Sequence, residues 1–332
     1  MEKIVVIGAG SWGTALAVVL AKKGYQVVMW EYLSEKAKEL QEKRENPVFL
    51  PGVKFPSTIT VTDSLEDILK DSNFLLFSVP AQVLRKVVPL IAPQLREDIT
   101  IINSAKGIEV TSGLRLSEVI KEEILGKYHK NIIALSGPTH AEEVGIELPS
   151  AIVAAGDLER GKKVQQLFST DYFRVYTSTD ILGVELGGAV KNCIAITSGI
   201  SDGLGYGDNS RAALITRGLA EMSRFGEFFG ADPKTFAGLA GMGDLIVTCT
   251  SKHSRNRGVG ERIGKGEKVE DILSSMVMVA EGVPTLKAVK ELADKHGISM
   301  PIVNATYGIV YEGKSIKEAL YSLMNRELKE EF

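Results

Sequence analysis

Lys3-Ile4-Val5-Val6-Ile7, followed by Gly8-Ala9-Gly10-Ser11-Trp12-Gly13, decides how the rest of this 332-residue chain is read. The apolar run predicts a buried strand, and residues 14–23 carry the spacing of a helix that Gly24 closes. Gln26-Val27-Val28-Met29-Trp30 supplies the next strand, with Glu31 at its end. A G-x-G-x-x-G turn inside such a βαβ unit is a seat for a dinucleotide pyrophosphate. Gly8 permits the tight turn, Gly10 keeps a Cβ away from the pyrophosphate, and Gly13 lets the helix pack closely on the strand. The helix N-terminus adds free N–H groups and a partial positive charge. Glu31 lies 18 residues past Gly13, where a carboxylate accepts hydrogen bonds from the adenosine ribose.

The alternation of strand and helix continues outward from this unit. Further strands are expected at 59–62, 73–79, 99–103, 132–136 and 151–155, with helices at 33–44, 82–91 and 114–125. Phe74-Leu75-Leu76-Phe77-Ser78-Val79 shows no in-and-out alternation, which suits a parallel sheet covered on both faces. Past Asp180, helical spacing takes over at 181–199, 212–229, 261–264, 283–296 and 316–323. The expected fold is an α/β Rossmann-type dinucleotide-binding domain over residues 1–180, followed by an all-α domain over 181–332.

Composition narrows the class of function. With 44% hydrophobic and 24% charged residues and a net charge of −3, the chain reads as globular. The slight acidity argues against a nucleic-acid or membrane-surface role, while leaving room for a local basic pocket. Cys193 and Cys249 are too few for a disulfide framework, so a reducing compartment fits. His129, His140, His253 and His296 show no ligand spacing, and no metal is expected. The first strand begins at once, leaving no room for a signal peptide, and no apolar stretch is read as approaching the roughly 18 residues of a membrane span. A soluble, cytoplasmic protein with a small-molecule substrate is the expectation.

Ligands of open α/β sheets bind beyond the C-terminal strand ends. That directs attention to Ser78-Val79-Pro80, to Asn103-Ser104-Ala105-Lys106-Gly107 and to Ser136-Gly137-Pro138-Thr139-His140. In the second half, Lys191-Asn192 interrupts an apolar, small-residue helix, and a buried lysine is costly unless paired or working. Gly241-Met242-Gly243-Asp244-Leu245 frames a carboxylate, with Thr248 shortly after it. Ser254-Arg255-Asn256 opens a further helix as a phosphate cup: backbone N–H groups, a forked guanidinium and an amide donor.

Taken together in this order, these motifs, with Lys106-Gly107-Ile108-Glu109 and Glu281-Gly282, resemble the NAD(P)-dependent glycerol-3-phosphate dehydrogenases of the bacterial type. The resemblance runs nearly end to end. It implies a Rossmann domain and a helical domain like that of 6-phosphogluconate dehydrogenase. It also implies reversible reduction of dihydroxyacetone phosphate to sn-glycerol 3-phosphate for glycerophospholipid synthesis, often by a homodimer. By position, Ser11 and Trp12 would touch the cofactor, with Tyr32, Lys106, Ala141, Arg255, Val279 and Glu281. Lys106, Gly137, Thr139 and Thr248 would meet substrate. Lys191 would transfer the proton, with Asp244 and Asn192 near the reacting oxygen, and Ser254, Arg255 and Asn256 would hold the substrate. Desolvation, Lys106 and Arg255 would lower the Lys191 pKa, whereas Asp244 and the substrate phosphate would raise it; the sequence does not decide between them.

One departure concerns the cofactor. Many members of that family carry an arginine or histidine near position 32, able to receive the 2′-phosphate of NADP. Here Glu31-Tyr32 stands there, with Lys36 the nearest cation, so NAD is expected and NADP remains possible. Two rival readings are a dehydrogenase of the same architecture acting on another anion and a non-catalytic NAD(H) sensor.

Overall fold

The structure, a computed structural model, describes residues 2–328, 330 and 331. β1 (Lys3–Ile7), α1 (Ser11–Lys22) and β2 (Gln26–Trp30) form the expected βαβ unit, with Ile7 opposite Trp30 in a parallel pair. α1 starts three residues earlier than its spacing suggested, so Ser11-Trp12-Gly13 is its first turn. Sterics explain the glycines. A Cβ on Gly13 would lie 2.1 Å from the Gly8 carbonyl oxygen, and one on Gly8 would lie 2.7 Å from that of Ser78. Gly8 also has φ +107°, where any L side chain is strained.

After α2 (Ser34–Lys43) comes a hairpin that the sequence reading missed, β3 (Glu45–Asn46) with β4 (Leu50–Lys54). Its turn begins at Asn46-Pro47, a turn-forming pair. Asn46 Nδ2 donates to the Ala9 carbonyl (2.8 Å) and to Thr14 Oγ1 (3.0 Å), fastening the hairpin to the glycine turn. The domain continues as β5 (Ile59–Thr62), β6 (Ser72–Phe77), α3 (Leu84–Ile91), β7 (Thr100–Asn103), α4 (Leu116–Glu123), β8 (Ile132–Ser136) and α5 (Ala141–Gly145). It ends with β9 (Ser150–Gly156), α6 (Leu158–Phe168) and β10 (Phe173–Ser178). Strand order is β10-β9-β8-β7-β6-β1-β2-β5. β5 through β8 run parallel, but β9 is antiparallel to β8, so the sheet is mixed at one edge rather than parallel throughout. β10 was also missed, although buried Phe173 and Val175 alternate with exposed Arg174 and Tyr176.

Both faces of the sheet are covered. Along β1, Ile4 and Val6 enter the layer with Leu16 and Leu20 of α1, while Val5 and Ile7 enter the layer with Leu84 and Val88 of α3. Each such side chain contributes about 1.5–3 kcal/mol by leaving water. The sheet order reverses beside β1, where β2 leads one way and β6 the other. The chain ends of those strands open the crevice that doubly wound folds use.

The second half comprises α7 (Ile181–Gly203), α8 (Asp208–Phe228), α9 (Pro233–Phe236), a wide π turn at Leu239–Gly243, α10 (Asp244–Thr250) and α11 (Arg255–Gly264). α12 (Val269–Ser275), α13 (Gly282–His296), α14 (Pro301–Tyr311) and α15 (Ile316–Met324) complete it, and among the described residues no strand follows Ser178. α7 is its axis, buried from Gly183 through Ser201. Contrary to the sequence reading, α7 is long and apolar enough by composition to cross a membrane. Yet 89% of its apolar window is buried inside the protein, and it carries Glu185 and Lys191, as a core helix does.

Glycines set the distance between α7 and α11. A Cβ on Gly260 would lie 1.9 Å from the Ile196 carbonyl oxygen, and one on Gly199 2.0 Å from that of Arg257. The two backbones therefore touch, which brings the N-terminus of α11 beside Lys191 and Asn192. Gly260→Ala is expected to destabilise the fold by about 1–3 kcal/mol, because backbone rather than a movable side chain must give way. Gly258→Ala on the same helix meets nothing within 4 Å and is the control. Equal melting temperatures for the two variants would contradict the contact.

Candidate active site

The C-terminal ends of β1, β6, β7 and β8 face a cleft of about 700 Å³, closed on its other side by the helical half. Gly8, Gly10, Ser11 and Trp12 line it, while Gly13 lies behind them against Gly8. A Cβ on Gly10 would meet nothing within 4 Å, so this turn presents bare backbone to the cleft. The first turn of α1 has neither a side-chain cap nor an acidic residue, leaving its N–H groups to an anion. Trp12 Nε1 is buried and, among the described residues, has no hydrogen-bond partner. At the far end Glu31, Tyr32 and Lys36 line the cleft, and the Glu31 carboxylate accepts from the Leu33 N–H (3.2 Å). Phe49 of the missed hairpin, its ring centre 5.4 Å from Lys36 Nζ, lies at this end, and Lys86 of α3 also lines the cleft.

A segment between α12 and α13 crosses over the glycine turn. Ser11 Oγ donates to Met278 Sδ (3.2 Å), and Arg255 Nη1 donates to the Val279 carbonyl (3.0 Å). Glu281 Oε1 accepts from the Ala81 N–H (3.0 Å), tying the helical half to the loop after β6. Its other oxygen is buried and without a partner, and burial pushes the carboxyl up to about 6. Ala141, at the start of α5, lines the same wall. Bare backbone at Gly10 and the unpartnered Trp12 Nε1 and Glu281 Oε2 fit a dinucleotide that carries both acceptors and donors.

The chemical centre lies where the halves meet. Lys191 is 6% exposed, so it does not snorkel to the surface. Its Nζ donates to Asp244 Oδ1 (2.7 Å) and to Thr248 Oγ1 (2.7 Å). Lys106 Nζ donates to the other Asp244 oxygen (2.6 Å) and to the Gly137 carbonyl (2.9 Å). One carboxylate thus joins a lysine of the sheet domain to a lysine of α7. Burial lowers the Lys191 pKa most, Asp244 opposes and Lys106 assists, and the ammonium ends at about 8. The balance that the sequence left open falls on the side of burial. Burial also opposes the Asp244 charge, but Lys106 and Lys191 outweigh it and hold the carboxyl below its usual range.

Gly137 does not line the cleft itself; its carbonyl anchors Lys106, and Thr139 Oγ1 lies 3.3 Å from the same oxygen while lining the cleft. Ser254, Arg255 and Asn256 line the opposite wall. Ser254 Oγ caps α11 by accepting from the Arg257 N–H (3.2 Å). The Asn256 amide donates one N–H to Asn192 Oδ1 (2.9 Å) and accepts from the Gly282 N–H (2.8 Å), which leaves its second N–H and its place on the cleft wall for an anion. Asn192 faces the cleft with its oxygen held by that bond. His140 and His253, their rings 5.9 Å apart, line the lip. Burial chiefly lowers the His140 pKa, with help from the Lys191 and Lys106 charges. Among the described residues, no group of three or more His, Cys, Asp or Glu side chains is placed to hold a metal.

Comparison with known proteins agrees with this geometry. The N-terminal sequence model of NAD-dependent glycerol-3-phosphate dehydrogenase matches residues 3–161, and the C-terminal one matches residues 180–321. A Chlorobium limicola protein named glycerol-3-phosphate dehydrogenase [NAD(P)+] is 51% identical over 329 residues, covering 99% of each chain. A Bacillus mycoides protein of the same name is 52% identical over 332 residues, covering 100% of this chain and 98% of that one. The crystal structure of glycerol-3-phosphate dehydrogenase from Coxiella burnetii superposes with a TM-score of 0.92 at 37% identity, covering 98% of this chain and 99% of that one. Sequence, fold and site converge, and the chain belongs to the NAD-dependent glycerol-3-phosphate dehydrogenase family.

Proposed function

We propose that the chain interconverts dihydroxyacetone phosphate and sn-glycerol 3-phosphate with Lys191 as the proton donor and acceptor. The observation that carries this reading is the buried Lys191 ammonium, hydrogen-bonded to Asp244 and Thr248 and lowered to about 8 at the cleft wall. The nicotinamide ring, when bound, supplies the hydride. As the substrate carbonyl is reduced, negative charge grows on its C2 oxygen. A cation at that oxygen stabilises the charge, and its proton completes the alcohol. Near pH 7 an ammonium with a pKa of about 8 is mostly protonated yet gives up its proton far more readily than an ordinary lysine. Asp244 keeps Lys191 charged in a site that burial would otherwise neutralise, and Thr248 orients the ammonium by accepting from it at 2.7 Å.

Residue roles follow the two walls. Gly8, Gly10, Ser11, Trp12, Glu31, Tyr32, Lys106, Ala141, Arg255, Val279 and Glu281 hold the dinucleotide, with Gly13 fixing the turn. Lys106, Thr139, Asn192, Asp244, Thr248 and Arg255 surround the substrate with Ser254 and Asn256, and Gly137 acts through Lys106. The division we propose is 1–180 for the dinucleotide-binding domain and 181–332 for the substrate domain. Two unpaired, buried cysteines agree with a reducing, cytoplasmic setting, and the homodimer and the supply of glycerophospholipid synthesis are proposed from the family resemblance.

Glu31 favours NAD, since it would repel a 2′-phosphate and accept from a free 2′-hydroxyl. Lys36, which lines the same cleft, favours some use of NADP. Oxidation of NADH and of NADPH with dihydroxyacetone phosphate, followed by absorbance, tests both points. Faster turnover with NADH is expected. Equal rates would remove the Glu31 argument, and turnover with neither would remove the assigned substrate.

A further inference from the structure

Glu185 is a buried carboxylate that the chemistry above does not use. It lies on α7, six residues before Lys191, at 8% exposure. Its partners all come from the other half of the molecule. Glu185 Oε1 accepts from the Ser117 N–H (2.8 Å), and Oε2 accepts from Ser117 Oγ (2.6 Å) and from Arg115 Nη1 (2.6 Å). Arg115 and Ser117 stand at the start of α4, where the loop that carries Lys106 ends. That loop folds back on itself: Ile108 pairs with Arg115 as an antiparallel bridge, and the Glu109 N–H donates to the Leu114 carbonyl (3.0 Å). Lys106 and Glu185 also flank one small chamber, with Asn103 and Ser136 between them.

We infer that Glu185 is a positioning residue that holds the Lys106 loop in register with the Lys191 helix, so that both lysines reach Asp244. It touches neither the cleft nor Lys106, and acts through Arg115, Ser117 and the closed loop. Stability alone is a poor reason for this carboxylate. Burial raises its pKa, Arg115 and Ser117 only partly oppose that, and Glu118 beside them adds repulsion. A buried ion pair often contributes no more than an apolar pair of similar volume. Arg115 has a second carboxylate, Glu118 (2.8 Å), so loss of the Glu185 charge does not strand the guanidinium.

The inference rests on the roles given to Lys106 and Lys191, and its test separates the two. Lys191 is faced by Asp244, Lys106, Thr248, Cys249 and His140, and among these Lys106 is a cation that lowers its pKa. If the Lys106 loop slips, the pH midpoint of kcat/KM for dihydroxyacetone phosphate rises. Glu185→Gln is expected to raise that midpoint by about half a unit and to lower kcat/KM about tenfold. Ser117→Ala, which removes one hydroxyl donor, is expected to shift the midpoint the same way by less. It remains informative should the first variant not fold. A lowered melting temperature with the wild-type midpoint and kcat/KM, in either variant, would make Glu185 glue and overturn the inference. A wild-type profile without a transition near pH 8 would overturn the Lys191 assignment and this inference together.

Discussion

Lys191→Ala is expected to lower the rate of dihydroxyacetone phosphate reduction by about 10²–10⁴-fold, the range for loss of a positioned proton donor. NADH binding, read by fluorescence titration, is expected to stay within about twofold, because the cofactor wall comes chiefly from the glycine turn and the 278–281 segment. The variant should fold. Asp244 keeps Lys106 at 2.6 Å, so the carboxylate left behind is still paired. The residual rate is expected to come from Lys106, the remaining cation on Asp244, and from the proposed hold of Arg255 on the substrate. Lys191→Arg separates charge from proton transfer: it keeps a cation but gives up a proton only above about pH 12. A rate near wild type in either variant would remove Lys191 from the reaction.

Asp244→Asn is expected to act on the same proton through its charge. Asp244 is the charge that raises the Lys191 pKa against burial, so its removal lets burial and Lys106 act unopposed. A nearby opposite charge is worth about 1–3 pKa units. The variant therefore sheds the Lys191 proton rather than carry a buried unpaired ammonium, which limits its loss of stability near neutral pH. Reduction at pH 7 is expected to fall about 2- to 100-fold, the range that a drop of about 1–3 units implies, and to recover in part as pH is lowered towards 6. In the glycerol 3-phosphate to ketone direction the loss is expected to be smaller, since Lys191 is already the free base. Equal losses in both directions at every pH would mean that Asp244 serves only as scaffold.

Much of this was legible in the chain because the decisive signals are local. The glycine turn is a steric statement, and its flanking strand and helix are adjacent in sequence, so Gly8, Gly10 and Gly13 disclose their tasks without a fold. Lys191 stood out because a lysine among glycine, alanine and isoleucine needs a reason. What the sequence did not disclose depends on contacts between distant segments. The pairing of Lys106 and Lys191 on one carboxylate spans both halves of the molecule. The orientation of the Asn256 amide is set by Asn192 and Gly282, 64 and 26 residues away in the chain, which no local pattern announces. The β3–β4 hairpin was missed because its strands are two and five residues long, although Asn46-Pro47 marked its turn. Glu185 gave no local signal at all; only its three donors from across the boundary reveal it.

The most direct test of the account is the pH dependence of kcat/KM in both directions for the wild-type protein. That quantity reports groups of the free enzyme. With the Lys191 ammonium as the proton donor, reduction is expected to be full below about pH 8 and to decline above it. Oxidation requires the free amine and is expected to rise through the same midpoint. Mirror-image profiles crossing near pH 8, absent in Lys191→Ala, are the predicted result. Profiles that keep their transition in that variant, or that fall together as pH rises, would contradict the assignment of the proton to Lys191.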